Sequence, residues 1–184
     1  INPRVSNEEG QNWSASSGAG GTPGFANSGA STNIAPMIRD VRHTPAVPSP
    51  SDQVVVTATL VDELATGSQA TLYHRVSTLS AGTFGAVTMV DVGDNVFGGV
   101  LPAQSNGSVV EFFIESSDGM HTRRWPAPTD ANGRQRANLL YQVDDGTYSG
   151  SQGDYRLILS VPEAEEFTSR NFNRGSNAQM NATF

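Results

Sequence analysis

Ser116, Ser117, Asp118 and His121 stand close together in the stretch EFFIESSDGMHTRRWPAP, and Arg123, Arg124 and Trp125 follow them directly. A hydroxyl, an imidazole and a carboxylate are the parts of a nucleophilic relay, which needs the imidazole between the other two groups and an oxyanion hole beside the hydroxyl. No nucleophile elbow of the G-x-S-x-G type accompanies them. Asp118-Gly119 is instead the dipeptide of a tight hairpin, whose central residues both need positive φ. The stretch therefore predicts a turn between two strands and no catalytic residue. Arg123, Arg124 and Trp125 could hold an anionic or carbohydrate partner through cation and stacking contacts. Strand alternation sets Arg123 with Trp125 on one face and Arg124 with Met120 on the other, and Arg123 is expected across from Glu115 or Glu111 as a cross-strand ion pair.

The remaining candidates are weighed in the same way. His43, His74 and His121 are too far apart in sequence to predict a zinc site, which needs converging ligands. Asp91 and Asp94 in MVDVGDNVFGG could offer oxygens to calcium at a loop, but their spacing is not that of an EF-hand and solvated turn carboxylates are the expectation. No other cofactor is expected. Glu163, Glu165 and Glu166 fall on the first turns of a predicted helix, where the macrodipole accounts for them. Asn12, Asn106 and Asn181 open glycosylation sequons by pattern, at a frequency that chance explains in a chain so rich in Asn, Ser and Thr. SSGAGG in the leader lacks the Lys and the apolar helix of a phosphate loop.

These residues must be positioned by elements that the composition constrains. The chain has 184 residues, 36% hydrophobic and 8% aromatic, with 19 Gly and 10 Pro. One modest core is expected, with its apolar residues concentrated in short strands between abundant turns. A net charge of -7 argues against nonspecific nucleic-acid binding, which needs a surplus of cations. All 11 basic residues are Arg, so no lysine can form a Schiff base or an isopeptide crosslink. Cysteine is absent, which removes disulfides and thiolate sites. No apolar run is long enough to predict a membrane-spanning helix. The chain begins at Ile1 without a leader pattern and is expected to be a piece of something longer.

From residue 35 the pattern becomes short apolar runs of period two, which predicts an antiparallel β-sandwich of the immunoglobulin or fibronectin type III kind over residues 35–128. PMIRDVRHTP reads as an edge strand, because its prolines suit only strand ends and edges. In QVVVTATLVD, Val54, Val56, Ala58 and Leu60 share one face. In SVVEFFIES, Val110, Phe112 and Ile114 are expected inside, with Glu111, Phe113 and Glu115 on a wet outer face. Residues 1–34 form an extended Gly/Ser-rich segment, 129–154 a polar linker holding one apolar strand candidate, and 155–184 a strand leading into a helix. Ser160, Pro162 and Glu163 match a capped helix start.

Three segments also carry a family resemblance. INP, GQNW and GGTPGFANS resemble the carboxy-terminal end of bacterial lamin-tail domains. TLYHRVS, the run from Phe84 to Asp91 and VFGGVLPAQSNGSVVEFFIESSDG resemble an immunoglobulin-like module of large secreted bacterial proteins. DYRLILSVPEAEEFTSR with SNAQMNATF resembles the opening of the spore coat protein H family, whose complete members the resemblance implies to be secreted atypical kinases. No nucleotide-binding or catalytic motif of that family is matched here.

The sequence is thus expected to encode a non-catalytic extracellular module, serving spacing, assembly or adhesion in a secreted or cell-surface protein. Its partners would be neighbouring domains of the same polypeptide or other surface proteins, without nucleic acid or membrane insertion. The alternatives are an accessory part of a spore coat protein H type kinase and a carbohydrate-binding sandwich. The candidate interaction surface is Tyr73, Phe113, Arg123 and Trp125, with a glycan as one candidate partner.

Overall fold

A computed structural model describes residues 2–6, 8, 10–64, 67–80, 82–128, 132–147, 149–151, 155–169 and 182–183. Its strands are β1 Met37–Thr44, β2 Val54–Val61, β3 Gln69–Val76, β4 Gly85–Asp91, β5 Val96–Leu101, β6 Val109–Ser117, β7 Thr122–Trp125 and β8 Leu139–Gln142. All pair antiparallel, in the order β1-β2-β5-β4-β3-β6-β7. β4 pairs with β3 through Ala70↔Met89 to His74↔Gly85 and with β5 through Val90↔Gly98 and Asp91↔Phe97. The sheet therefore curls at β4 and folds back on itself, with β1, β2 and β5 facing β3, β6 and β7. This is the expected all-β immunoglobulin/fibronectin-like sandwich.

Period-two alternation selects the core. Val54, Val56, Ala58 and Leu60 all turn inward and meet Leu72, Met89, Phe97, Leu101, Val110, Phe112 and Ile114. β1 is an edge strand as expected, but it carries a bulge between Arg39 and Arg42, with Asp40 at φ 50. The extra residue reverses the parity of the strand. Ile38 faces in before the bulge, and His43, opposite Val56, faces in after it. His43 then packs on Tyr141 at 5.5 Å and meets the edge of Phe112 at 6.1 Å. Its role is packing in the aromatic core.

β6 departs from expectation on its outer face. Glu111 and Phe113 are each only 4% exposed. Phe113 stacks on Tyr73 at 4.8 Å, meets Phe84 edge-on at 5.0 Å, and lies under the guanidinium of Arg124 at 5.5 Å. Glu111 accepts from Arg75 and from Asn138, both at 2.8 Å. Reading the two carboxylates as a mark of open water fails here, because cross-strand partners and a residue beyond β7 cover this face.

The segment assigned to a linker is also part of the sheet. β8 pairs with β6 through Val109↔Gln142 to Phe112↔Leu139, while β7 pairs with Ile114 to Ser117. Two short strands thus share one edge of β6. Tyr141 is 1% exposed, and burial pushes its phenol up to about 12. After Ser160 comes helix α1 Val161–Ser169, while β9 Ile158–Leu159 pairs with β10 Ala182–Thr183. The rest of SNAQMNATF lies outside the described residues.

The two neighbouring glycines of β5 make a paired test of the packing. A Cβ on Gly99 would approach Leu72 and Met89 to 3.1 Å, whereas one on Gly98 would meet only Val92 at 3.6 Å. Gly99→Val is expected to destabilise the chain by about 1–3 kcal/mol through overpacking. Gly98→Ala should stay within about 0.5 kcal/mol of the parent in urea unfolding. Equal midpoints for the two variants would contradict the packing described.

Candidate functional site

The hairpin that holds the candidate catalytic residues is turned otherwise than its Asp-Gly dipeptide suggests. The last pair of the ladder is Ser117↔Thr122, so the connection runs Asp118–His121, closed by a bond from the Asp118 amide to the His121 carbonyl at 3.3 Å. Asp118 does not adopt positive φ, while Gly119 does, at 86°. The Asp118 carboxylate accepts from the amides of Met120 at 2.7 Å and His121 at 2.6 Å. The type I′ pair lies elsewhere, at Asp94 and Asn95, with φ of 55° and 59°. There the amide of Val96 donates to the carbonyl of Gly93 at 2.9 Å.

The relay reading dissolves in this geometry. The Ser116 hydroxyl is fully buried and donates to the Pro36 carbonyl at 2.7 Å, and the Ser117 hydroxyl accepts from the Gly119 amide at 3.0 Å. Both hydroxyls serve the backbone, and His121 stands 3.7 Å from the turn carboxylate of Asp118. The calcium candidates Asp91 and Asp94 lie in and beside the turn between β4 and β5. Asp91 accepts from the Gly93 amide at 2.8 Å, Asp94 forms the turn, and among the described residues no three His, Asp or Glu side chains converge. The cavity nearest Asp91, about 280 Å³, also meets Asp62, Ser68 and Asn95.

The register settles which arginine pairs. Glu115 stands opposite Arg124 and accepts from its Nε at 2.7 Å. Arg123 stands opposite Ser116 and forms none of the expected pairs with Glu115 or Glu111. It donates from Nε and Nη2 to the Ala35 carbonyl at 3.3 and 3.2 Å, and from Nη1 to the Gln11 carbonyl at 2.6 Å. The candidate surface therefore divides between two faces. Tyr73 and Phe113 lie on the outer face, with Phe113 covered, and Arg123 with Trp125 lies on the side toward β1 and the amino-terminal segment. Trp125 stands opposite Ile114 and not opposite Phe113.

What Arg123 reaches is the part that sequence reasoning passed over. The Gln11 side chain donates to the Ile38 carbonyl at 2.7 Å and accepts from the Ile38 amide at 2.9 Å, copying a ladder pair onto β1. Asn12 is buried and gathers the first residues: its Oδ1 accepts from the Asn2 amide at 2.7 Å, and its Nδ2 donates to the carbonyls of Asn2, Val5 and Ser6. Gln11 and Asn12 thereby carry Trp13 to the edge of β7. Trp13 is 66% exposed and Trp125 38%, and a cavity of about 350 Å³ is walled by Gln11, Trp13, Arg123, Arg124, Trp125 and Ala127. The signal in the sequence was GQNW itself, two amides and an indole amid small residues.

The opposite end is tied just as specifically. The Ser77 amide donates to the Val109 carbonyl at 2.8 Å, and the Ser77 hydroxyl accepts from the Val161 amide at 2.9 Å. The Ser160 hydroxyl donates to Glu163 at 2.6 Å, so the expected capping residues do meet. Asp144, after β8, holds Arg156. The amide of Gly146 and then Arg156 hold the Asp144 carboxyl below its usual range.

No protein-family model matches the chain, and no curated protein matches it. Among solved structures, two from Listeria monocytogenes are similar in part to this chain. One is a cycloalternan-forming enzyme in complex with a pentasaccharide substrate, with a TM-score of 0.41 and 12% identity over 56% of this chain. The other is an uncharacterized protein of strain EGD-e, with a TM-score of 0.41 and 13% identity over 55%. In each case the alignment spans 9% of the other chain.

The Asp118 turn yields a pH prediction. Desolvation raises the pKa of this carboxyl, but the His121 and Met120 amides, then the Asn33 and His121 side chains, outweigh it, and the net shift is downward. Its stabilising effect is present above the ordinary Asp value of about 3.9 and is lost as pH falls through the lower folded value. A carbon-13 titration should place the Asp118 midpoint below about 3.9. Asp118→Ala should cost about 1 kcal/mol at neutral pH and almost nothing below that midpoint. A midpoint at or above the ordinary value would contradict this account.

Proposed function

We propose that the chain is a non-catalytic, extracellular connecting module, a β-sandwich that fixes the segments on either side of it within a larger protein. One observation carries the reading. Residues before β1 and after β8 are bonded to the two opposite ends of the sandwich through named side chains. The amino-terminal segment is held where β1 begins and β6 ends, by Gln11 on Ile38 and by Arg123 on Gln11 and Ala35. The carboxy-terminal segment is held where β3 ends and β6 begins, by Ser77 on Val161 and by Asp144 on Arg156. Between them runs the length of β6, roughly 27 Å at a strand's rise per residue.

A hinged tether would leave such flanks as free polar chain. Here Asn2 and Asn12 are buried, and the bonds that hold the flanks are directional and partly charge-assisted. The hydroxyl, imidazole and carboxylate groups of the Asp118 hairpin are spent on backbone and turn geometry, which supports a role without catalysis. The extracellular setting, and partners that are neighbouring domains of the same polypeptide, follow from the resemblance of the flanks to lamin-tail and spore coat protein H segments.

The test is hydrogen exchange on the intact chain and on Arg123→Ala. Amides of residues 10–13 are expected to be protected in the parent and to exchange about tenfold faster or more in the variant, since a hydrogen bond to a charged group is worth about 1.5–3 kcal/mol. The amides of β2, β3 and β6 should keep their protection. Open-chain exchange of residues 10–13 in the parent would refute the connecting role.

A further inference from the structure

Arg123 borders three cavities at once: the one between the two indoles, one of about 480 Å³ that also meets Glu115, Thr122 and Pro128, and one of about 340 Å³ that also meets Asn33 and His121. A guanidinium has five N–H donors. Three of them go to the carbonyls of Ala35 and Gln11, which are neutral, so no carboxylate among the described residues balances this part-buried cation. Burial pushes its pKa down, as it does for a cation short of a counter-ion. One N–H on Nη1 and one on Nη2 are left without an acceptor among the described residues. Among the described residues the wall between the indoles contains no acidic side chain, although the chain as a whole carries -7.

We propose that this groove binds an acidic saccharide, a uronic acid unit within an oligosaccharide, with the sugar ring against Trp13 and Trp125 and the carboxylate facing Arg123. Three features select this ligand class. Indoles offer flat apolar faces to the C–H side of a pyranose, and both Trp13 and Trp125 are exposed at the rim. A carboxylate supplies the counter-charge for Arg123 and is planar, so its two oxygens can accept from the N–H groups of the guanidinium. A cavity of about 350 Å³ is at the small end for ligand sites and suits one or two sugar rings, with the adjoining cavities open to the rest of the chain. The Arg124 guanidinium lines the same wall while its Nε is held by Glu115, which fixes a second cation without neutralising the first. This site goes beyond the connecting role, and exchange protection measured without ligand tests that role separately.

The experiment is isothermal titration calorimetry of the intact chain with trigalacturonate, with a hyaluronan tetrasaccharide, with methyl-esterified trigalacturonate and with pentaglutamate. At least one of the two acidic saccharides is expected to bind with a dissociation constant in the micromolar to millimolar range, on the order of 100 µM. Where trigalacturonate is the ligand, its methyl ester should bind about tenfold more weakly or worse; where hyaluronan is, raising the salt should weaken it by a similar factor. Pentaglutamate should show no saturable heat. Trp13→Ala, a change at an exposed residue that leaves the sandwich intact, should weaken binding about tenfold or more. Heat from neither saccharide, equal affinity for the ester, binding of pentaglutamate as tight as that of the saccharide, or unchanged affinity in Trp13→Ala would each overturn the proposal.

Discussion

The structure depends on β6 being enclosed on both faces and both edges. Its inner face carries Val110, Phe112 and Ile114 into the core. Its outer face carries Glu111, Phe113 and Glu115 into a cross-strand ladder with Arg75, Tyr73 and Arg124. β3 takes one edge along its whole length, and β7 and β8 divide the other. A strand held in this way can tolerate no slip of register, because one residue of shift would drive Glu111 and Glu115 into the apolar core. Its two ends also stand beside the anchors of the flanks. Ser116 bonds to Pro36 at one end, and Val109 bonds to Ser77 at the other.

Much of this was legible in advance, and the reasons are local. The parity of β2 survived because the bulge lies in β1 and β2 itself is unbroken, pairing residue for residue with β5, so alternation alone assigned Val54 to Leu60 correctly. Parity misled in β1, where an αL residue at Asp40 inserts a bulge that no glycine announced. It also misled on the outer face of β6, since alternation shows which residues share a face but not whether another segment covers it. Asn138, which caps Glu111, comes from a stretch that looked like polar connector. The Asp-Gly rule located a turn at the right place but with the wrong length, because the Asp118 carboxylate captured two amides and lengthened the loop. Two extra loop residues preserve parity, so Arg124 shares the face of Glu115 in either register, and the expected pairing of Arg123 with Glu115 or Glu111 does not form.

The candidate site was the least legible part, for a physical reason. Arg123 and Trp125 were visible as residues, but their surroundings are assembled from Gln11 and Trp13, more than a hundred positions earlier, and a long-range contact of that kind leaves no period or spacing to read. Polar amides in a glycine- and serine-rich leader predict solvent exposure. Asn12 is instead buried against four main-chain groups, which turns a leader into a structural component. The same docking that orders the flank also builds the aromatic groove, so the connecting role and the proposed ligand site share one cause.

The central claim is that the sandwich holds its two flanks at fixed places on opposite ends. The absence of cysteine makes site-specific spin labelling straightforward, with Ser14→Cys before β1 and Glu165→Cys on α1, both exposed. A pulsed dipolar measurement on the doubly labelled chain should give a single narrow distance distribution that broadens when Arg123→Ala is added. A broad distribution in the parent, unchanged by that substitution, would contradict the account.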